Sequence, residues 1–101
     1  MRLLVLFDLP VASKAERRVA SRFRKYLQND GYYMLQFSIY CRVCKGIEAV
    51  DKHITRLQPE LPPEGNVRMM VVTEKQFQDM QILVGKPEKN EEHSCEQLVL
   101  L

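Results

Sequence analysis

The sequence contains no tryptophan, only four glycines and five prolines in 101 residues, and no uninterrupted apolar run longer than Leu3 to Phe7. Five residues fall far short of the ~20 that a membrane-spanning helix requires, so no helix is expected to cross a bilayer. An apolar leader core of about 7–15 residues with a small-residue cleavage site is missing after Met1. Three cysteines, an odd number without dense spacing, do not make a disulfide framework. The expected location is therefore the cytoplasm, with reduced thiols. The G-x-S-x-G, Walker, H-E-x-x-H and G-x-G-x-x-G patterns are missing as well, which removes the commonest esterase, nucleotidase, metalloprotease and dinucleotide-binding readings. A composition of 46% apolar and 28% charged residues excludes an intrinsically disordered chain. One domain of this size buries roughly 65% of the surface its unfolded chain exposes. Its core is small, which makes an oligomer worth expecting.

The net charge of +2 hides an uneven distribution. Residues 1 to 56 carry 11 Lys and Arg against 5 Asp and Glu, whereas residues 57 to 101 carry 4 against 8. Between Ser13 and Gln28, Lys14, Arg17, Arg18, Arg22, Arg24 and Lys25 are opposed by Glu16 alone.

Leu3 to Phe7 is a continuous apolar run of strand length, the pattern of a central strand covered on both faces. Asp8, Leu9 and Pro10 end it. Ser13, Lys14, Ala15 and Glu16 form an S-x-x-E capping box, which predicts a helix running to about Asn29 and closed by Gly31. Along it Ala15, Val19, Phe23 and Leu27 recur every four residues with Tyr26 beside them, and the six cations fall on the opposite arc.

From Tyr33 to Val43 the period changes to two. Tyr33, Leu35, Phe37, Ile39, Cys41 and Val43 share one parity, which reads as one long strand or two short ones. Ile47, Val50, Ile54 and Leu57, between Gly46 and Pro59, predict a second amphipathic helix. Pro62 to Gly65 is a turn, Val67 to Thr73 a strand, and Met80, Ile82 and Val84 alternate as a further strand ending near Gly85. With two strands in the Tyr33 to Val43 region, the order is the βαββαβ of an α+β ferredoxin-like sandwich. Residues 1–85 would form that domain, and residues 86–101 a linker and an extra C-terminal strand. Both helices of such a unit cover one sheet face. The other face, and Leu98, Val99, Leu100 and Leu101, are left for the chain's own end or for a second copy, so a homodimer through the sheet faces is expected.

Asp8 is the sharpest candidate for chemistry. It stands at the C-terminal end of the central strand, ahead of a helix start, where α/β folds usually place their sites. The bland alternative is a loop carboxylate accepting backbone N–H bonds near the helix N-terminus. Mg²⁺ is held by one or two carboxylates together with waters, and a twofold dimer supplies two copies of Asp8. The six cations of the first helix repel one another unless a polyphosphate lies along them; a solvated face is the alternative. An RNA-recognition domain would share the fold but stack bases on aromatics at open-face strand positions, a motif these strands lack. Cys41 and Cys44 have half the spacing of a zinc knuckle, with His53, His93 and Cys95 as remaining candidates. Cys41, however, is in step with the apolar strand parity, and the expectation is buried thiols. His53, next to Ile54, reads as a partly buried helix residue.

Several stretches together resemble the small CRISPR-associated protein two family, in particular members accompanying type II systems. They are Phe7-Asp8-Leu9-Pro10, Phe23-Arg24-Lys25-Tyr26-Leu27, Met34-Leu35-Gln36-Phe37-Ser38-Ile39-Tyr40, Pro62-Pro63-Glu64-Gly65, Thr73-Glu74-Lys75-Gln76-Phe77 and Leu98 to Leu101. The chain departs from ribonucleolytic members at Phe7, where they carry Tyr, and near Met34, where they carry a basic residue. The resemblance implies a prokaryotic homodimer that bridges two dimers of the CRISPR integrase along duplex DNA during spacer acquisition. It also implies an Mg²⁺-dependent endonuclease acting on RNA or DNA through Asp8, with the metal shared across the dimer. Bridging would use Lys14, Arg17, Arg18, Arg22, Arg24 and Lys25 on the DNA and Leu98 to Leu101 at the partner interface. A stand-alone, toxin-like metal-dependent ribonuclease is the other reading.

Overall fold

The computed structural model describes residues 1–87. The chain runs β1 (Arg2–Asp8), α1 (Lys14–Asn29), β2 (Tyr33–Gln36), β3 (Ile39–Val43), α2 (Gly46–Leu57), a short 3-10 turn (Gln58–Glu60), β4 (Asn66–Val72) and α3 (Glu74–Gln78). The four strands form one antiparallel sheet in the order β2-β3-β1-β4. That order and the two helix crossovers are those of the ferredoxin-like sandwich. No helix among the described residues is long and apolar enough to cross a membrane.

The capping box at the start of α1 is complete. Ser13 Oγ accepts from the Glu16 backbone at 3.0 Å, and the Glu16 carboxylate accepts from the Ser13 backbone at 2.8 Å. Its buried face is Ala20, Phe23 and Leu27, with Val19 and Tyr26 half-buried and Ala15 exposed. These side chains pack on Leu3, Val5, Phe7 and Leu9, every second residue of β1 and the loop after it, with Tyr40, Val50 and Leu57. Phe7 meets Phe23 edge-on at 5.1 Å and stacks on Tyr40 at 5.7 Å. The core stripe of α2 is rotated from the expected one. Val50, His53 and Leu57 are buried, Ile54 is half-buried, and Ile47 is exposed. His53 turns inward, with its Nδ1 3.5 Å from the carboxylate of Asp30, itself buried at the end of α1.

The face opposite the two helices carries Leu4, Leu35 and Cys41, flanked by Leu6, Tyr33, Ile39 and Val72. One part of it is covered from within the chain by α3, an element the periodicity reading did not contain. Thr73 caps α3 with Gln76 in a second complete capping box, and Phe77 is buried against Leu4, Leu35 and Cys41. Fully buried Arg2 locks this arrangement. Its Nε donates to the Glu74 carboxylate at 3.0 and 3.1 Å, its Nη1 donates to the Tyr33 hydroxyl at 2.7 Å, and its guanidinium lies 3.9 Å from the centre of the Phe77 ring. Burial works against the Arg2 charge, but the Glu74 carboxylate and its neighbours outweigh it and hold the guanidinium above its usual pKa.

Two expectations are corrected. Residues 80–84 do not form a strand, because neither sheet edge of the chain pairs with them. Phe37 does not continue the apolar parity of Tyr33 and Leu35. A register shift between Met34 and Gln36 and a positive φ of 65° at Ser38 break the alternation and turn Phe37 out to 78% exposure. Leu98, Val99, Leu100 and Leu101, most of the expected 86–101 segment, His93 and Cys95 lie outside the described residues.

Candidate nucleic-acid interfaces and the Asp8 groove

Asp8 ends β1 opposite Asn66, and its side chain is exposed. It shares a sheet face with Leu4 and Leu6, away from the helices. The cross-strand partner of Leu6 is Arg68, which brings that cation to the same face. Leu6, Phe7, Asp8, Phe37, Ser38, Ile39, Asn66 and Arg68 line an open groove of about 350 Å³. Among the described residues no group donates a hydrogen bond to the Asp8 carboxylate, and the start of α1 is capped by Ser13. The bland reading of Asp8 as a helix-end acceptor therefore does not hold. The groove end is fixed by Gly65, whose φ of +95° and close approach to the Asp8 carbonyl leave no room for a side chain.

No cluster of three or more His, Cys, Asp or Glu occurs among the described residues. The oxygen donors that line the groove, Asp8, Ser38 and Asn66, have the chemistry a hard divalent ion takes, but one chain contributes a single carboxylate to it. A divalent ion fits here when water, substrate or the Asp8 of a second copy completes the set. Cys41 and Cys44 are both buried free thiols that belong to different apolar clusters, Cys41 on the open face and Cys44 under the helices. Burial raises the pKa of both. His53 instead faces the Asp30 carboxylate, 3.5 Å from its Nδ1.

The six cations of α1 separate into two groups. Lys14, Arg18, Arg22 and Lys25 are exposed and fall within roughly 80° of one another around the helix, in a row about 16 Å long. Arg17 and Arg24 leave that row. Arg17 donates to the carbonyls of Val11 and Ala12, both at 3.2 Å, and so ties down the loop between β1 and α1. Arg24 is half-buried and reaches over the sheet end, its guanidinium 5.0 Å from the Phe37 ring centre and 5.6 Å from that of Phe7. The helical arc in the sequence could not separate these two, because both sit at its margin and their partners lie in other segments.

Comparison with known proteins identifies the family. Residues 1–80 match the family described as CRISPR associated protein Cas2. The chain belongs to that family. It is 58% identical over 87 residues to a protein of Acidovorax ebreus (strain TPSY), covering 86% of this chain and 85% of that one. It is 41% identical over 101 residues to a protein of Ligilactobacillus salivarius (strain UCC118), covering 100% of both chains. A third, from Flavobacterium psychrophilum, is 42% identical over 98 residues, 97% of this chain and 85% of that protein. All three are named CRISPR-associated endoribonuclease Cas2. Among the residues that line the groove, Phe37, Ser38, Asn66 and Arg68 were not singled out as site candidates from the sequence. Arg68 becomes visible only through its register against Leu6.

Proposed function

We propose that the protein acts as a homodimer in CRISPR spacer acquisition, lying along duplex DNA through Lys14, Arg18, Arg22 and Lys25 and bridging dimers of the CRISPR integrase. The observation that carries this reading is the row of four exposed cations on one side of α1. Like charges at i, i+4 spacing cost a few tenths of a kcal/mol per pair, a cost that a line of phosphates removes. Such a row senses backbone charge and not base sequence.

Dimerisation is supported by the free edge of the sheet. Met69, Met70 and Val71 on β4 are 39%, 49% and 37% exposed, and Met80, Ile82, Leu83 and Val84 follow in an exposed segment. An apolar edge strand next to an apolar segment, neither paired on its outer side among the described residues, is a template for pairing between chains. Leu98 to Leu101 would extend that interface to the integrase.

At the end of the sheet, away from the outer row of α1, the Asp8 groove supports a second activity, endonucleolytic hydrolysis of RNA or DNA phosphodiesters, in keeping with the endoribonuclease names of the relatives. Asp8 from each copy, with Ser38 and Asn66 near it, would hold Mg²⁺. When bound, the ion supplies positive charge that polarises a phosphodiester. Arg68 meets the substrate's charge at the groove wall.

Titrating the full-length protein with duplex DNA at rising salt tests the bridging reading. The affinity should fall with a log–log slope of about −0.9 per phosphate neutralised, and sedimentation should give about twice the 11.9 kDa chain mass. Salt-independent binding, or a monomer at micromolar concentration, contradicts it.

A further inference from the structure

We propose that Phe37, braced by Arg24, is a stacking platform for an unpaired base of the strand that enters the Asp8 groove, with Arg68 holding the phosphate beside it. The inference rests on the reading that this groove takes a nucleic-acid strand and names the residues that position that strand. It begins with an anomaly. Phe37 is an aromatic side chain left 78% exposed in a small domain whose other phenylalanines, Phe7, Phe23 and Phe77, are all buried.

The exposure follows from the local backbone. The register shift between Met34 and Gln36 and the positive φ of Ser38 carry Phe37 out of the strand parity. The turn is pinned from both sides. The Phe7 backbone N–H donates to the Ser38 carbonyl at 3.0 Å, and an Arg24 guanidinium nitrogen lies 3.5 Å from Ser38 Oγ. The Arg24 guanidinium then sits 5.0 Å from the centre of the Phe37 ring. One side of the ring is thus backed by a cation, and its high exposure leaves the remainder to solvent. The ordering cost of a stacking surface is largely met before any ligand arrives.

Phe37 borders the same groove as Asp8, Ser38, Asn66 and Arg68. A base presents a flat π-face and its phosphate a negative charge, and the groove offers an aromatic ring and a guanidinium for those two parts. A fully stacked duplex has no free π-face to give within its length, so the platform favours unpaired nucleotides. Arg24 takes no direct part; it is a positioning residue for Phe37.

Binding measured in the Asp8→Asn protein separates recognition from hydrolysis. The probes are a fluorescently labelled single-stranded RNA, the same strand with 2-aminopurine at successive positions, and a duplex DNA. Adding Phe37→Ala should weaken single-strand binding about ten-fold and abolish the quenching of 2-aminopurine, while duplex affinity and the sedimentation coefficient stay unchanged. Phe37→Tyr should restore both. In the protein that retains Asp8, Phe37→Ala should raise KM with little change in kcat.

Unchanged single-strand affinity in the Phe37→Ala protein, no single-strand binding by the Asp8→Asn protein, or a parallel loss of duplex binding and dimer mass would overturn the proposal; the last would make Phe37 an interface residue. A wild-type protein that binds single strands through Phe37 but hydrolyses none would leave the platform standing and remove the nuclease reading alone.

Discussion

Gly65 lies directly against the backbone of Asp8: a Cβ built on it would fall 2.6 Å from the Asp8 carbonyl oxygen and 2.9 Å from Leu9 Cδ2. The turn after the proline pair thereby sets where the end of β1, and with it the exposed carboxylate, sits. Gly65→Ala must move one of two backbones, and its φ of +95° adds strain of about 1–3 kcal/mol on its own. Gly46 has φ +84° with nothing within 4 Å of its Cβ position, so Gly46→Ala carries the strain without the clash. Urea midpoints should fall for both and further for Gly65→Ala, and only Gly65→Ala should impair hydrolysis under conditions where both are folded. Equal effects would place no constraint from Gly65 on Asp8.

The Arg2–Glu74 pair joins the first strand to α3 over the open sheet face. Removing the carboxylate takes away the anion that faces a fully buried guanidinium, which keeps the Tyr33 hydroxyl and the Phe77 ring beside it. Breaking a buried pair costs about 3–5 kcal/mol, and the partial exposure of Glu74 lowers the expectation to about 2–3 kcal/mol for Glu74→Gln. Chemical denaturation measures it directly. A change under 0.5 kcal/mol would mean that α3 is not held by this contact.

His53 makes folding sensitive to mild acid. Its pKa is lowered, by burial first and then by Arg42, while the Asp30 carboxylate, 3.5 Å from Nδ1, pulls the other way without outweighing them. Arg56, paired with Asp30, also disfavours the charged imidazole. The unfolded chain therefore binds a proton at this site more readily than the folded one. The stability held above the ordinary histidine pKa is lost as the pH falls through the lowered folded value. The free energy of unfolding should decline between about pH 7 and pH 5, and His53→Gln should flatten that decline. An unchanged slope in the variant would assign it to other groups.

Charge reversal on α1 should depend on the row and not on charge alone. Arg18→Glu with Arg22→Glu should weaken duplex binding strongly and reduce the salt slope by about 2. Arg17→Gln should act mainly on stability, through the Val11 and Ala12 carbonyls it holds. Equal binding losses from both, in folded proteins, would return Arg17 to the phosphate-facing set.

The parts of the fold written in local sequence were readable. The Ser13 capping box, the apolar run of β1 and the positive-φ glycine after α1 each rest on neighbours within a few residues. Elements that depend on distant partners were not. The Thr73 capping box announces α3, but five helical residues have too short an apolar pattern to register. Arg2 is buried where Glu74, 72 positions away, meets its guanidinium. The alternation over residues 80–84 needs a partner strand, and none of the described strands pairs with it. At the site, the end of a buried strand pointed to Asp8, whereas Phe37 was hidden by an alternation that the Ser38 turn interrupts.

Duplex binding along the outer row of α1 and hydrolysis in the Asp8 groove at the sheet end are assigned to separate surfaces, and Asp8→Asn separates them. The purified wild-type protein and the variant should be assayed in parallel for Mg²⁺-dependent cleavage of single-stranded RNA and for duplex DNA binding. The variant should lose cleavage and keep the dimer, the duplex affinity and its salt slope. Cleavage retained by the variant, or duplex binding lost with it in a folded dimer, would contradict the account.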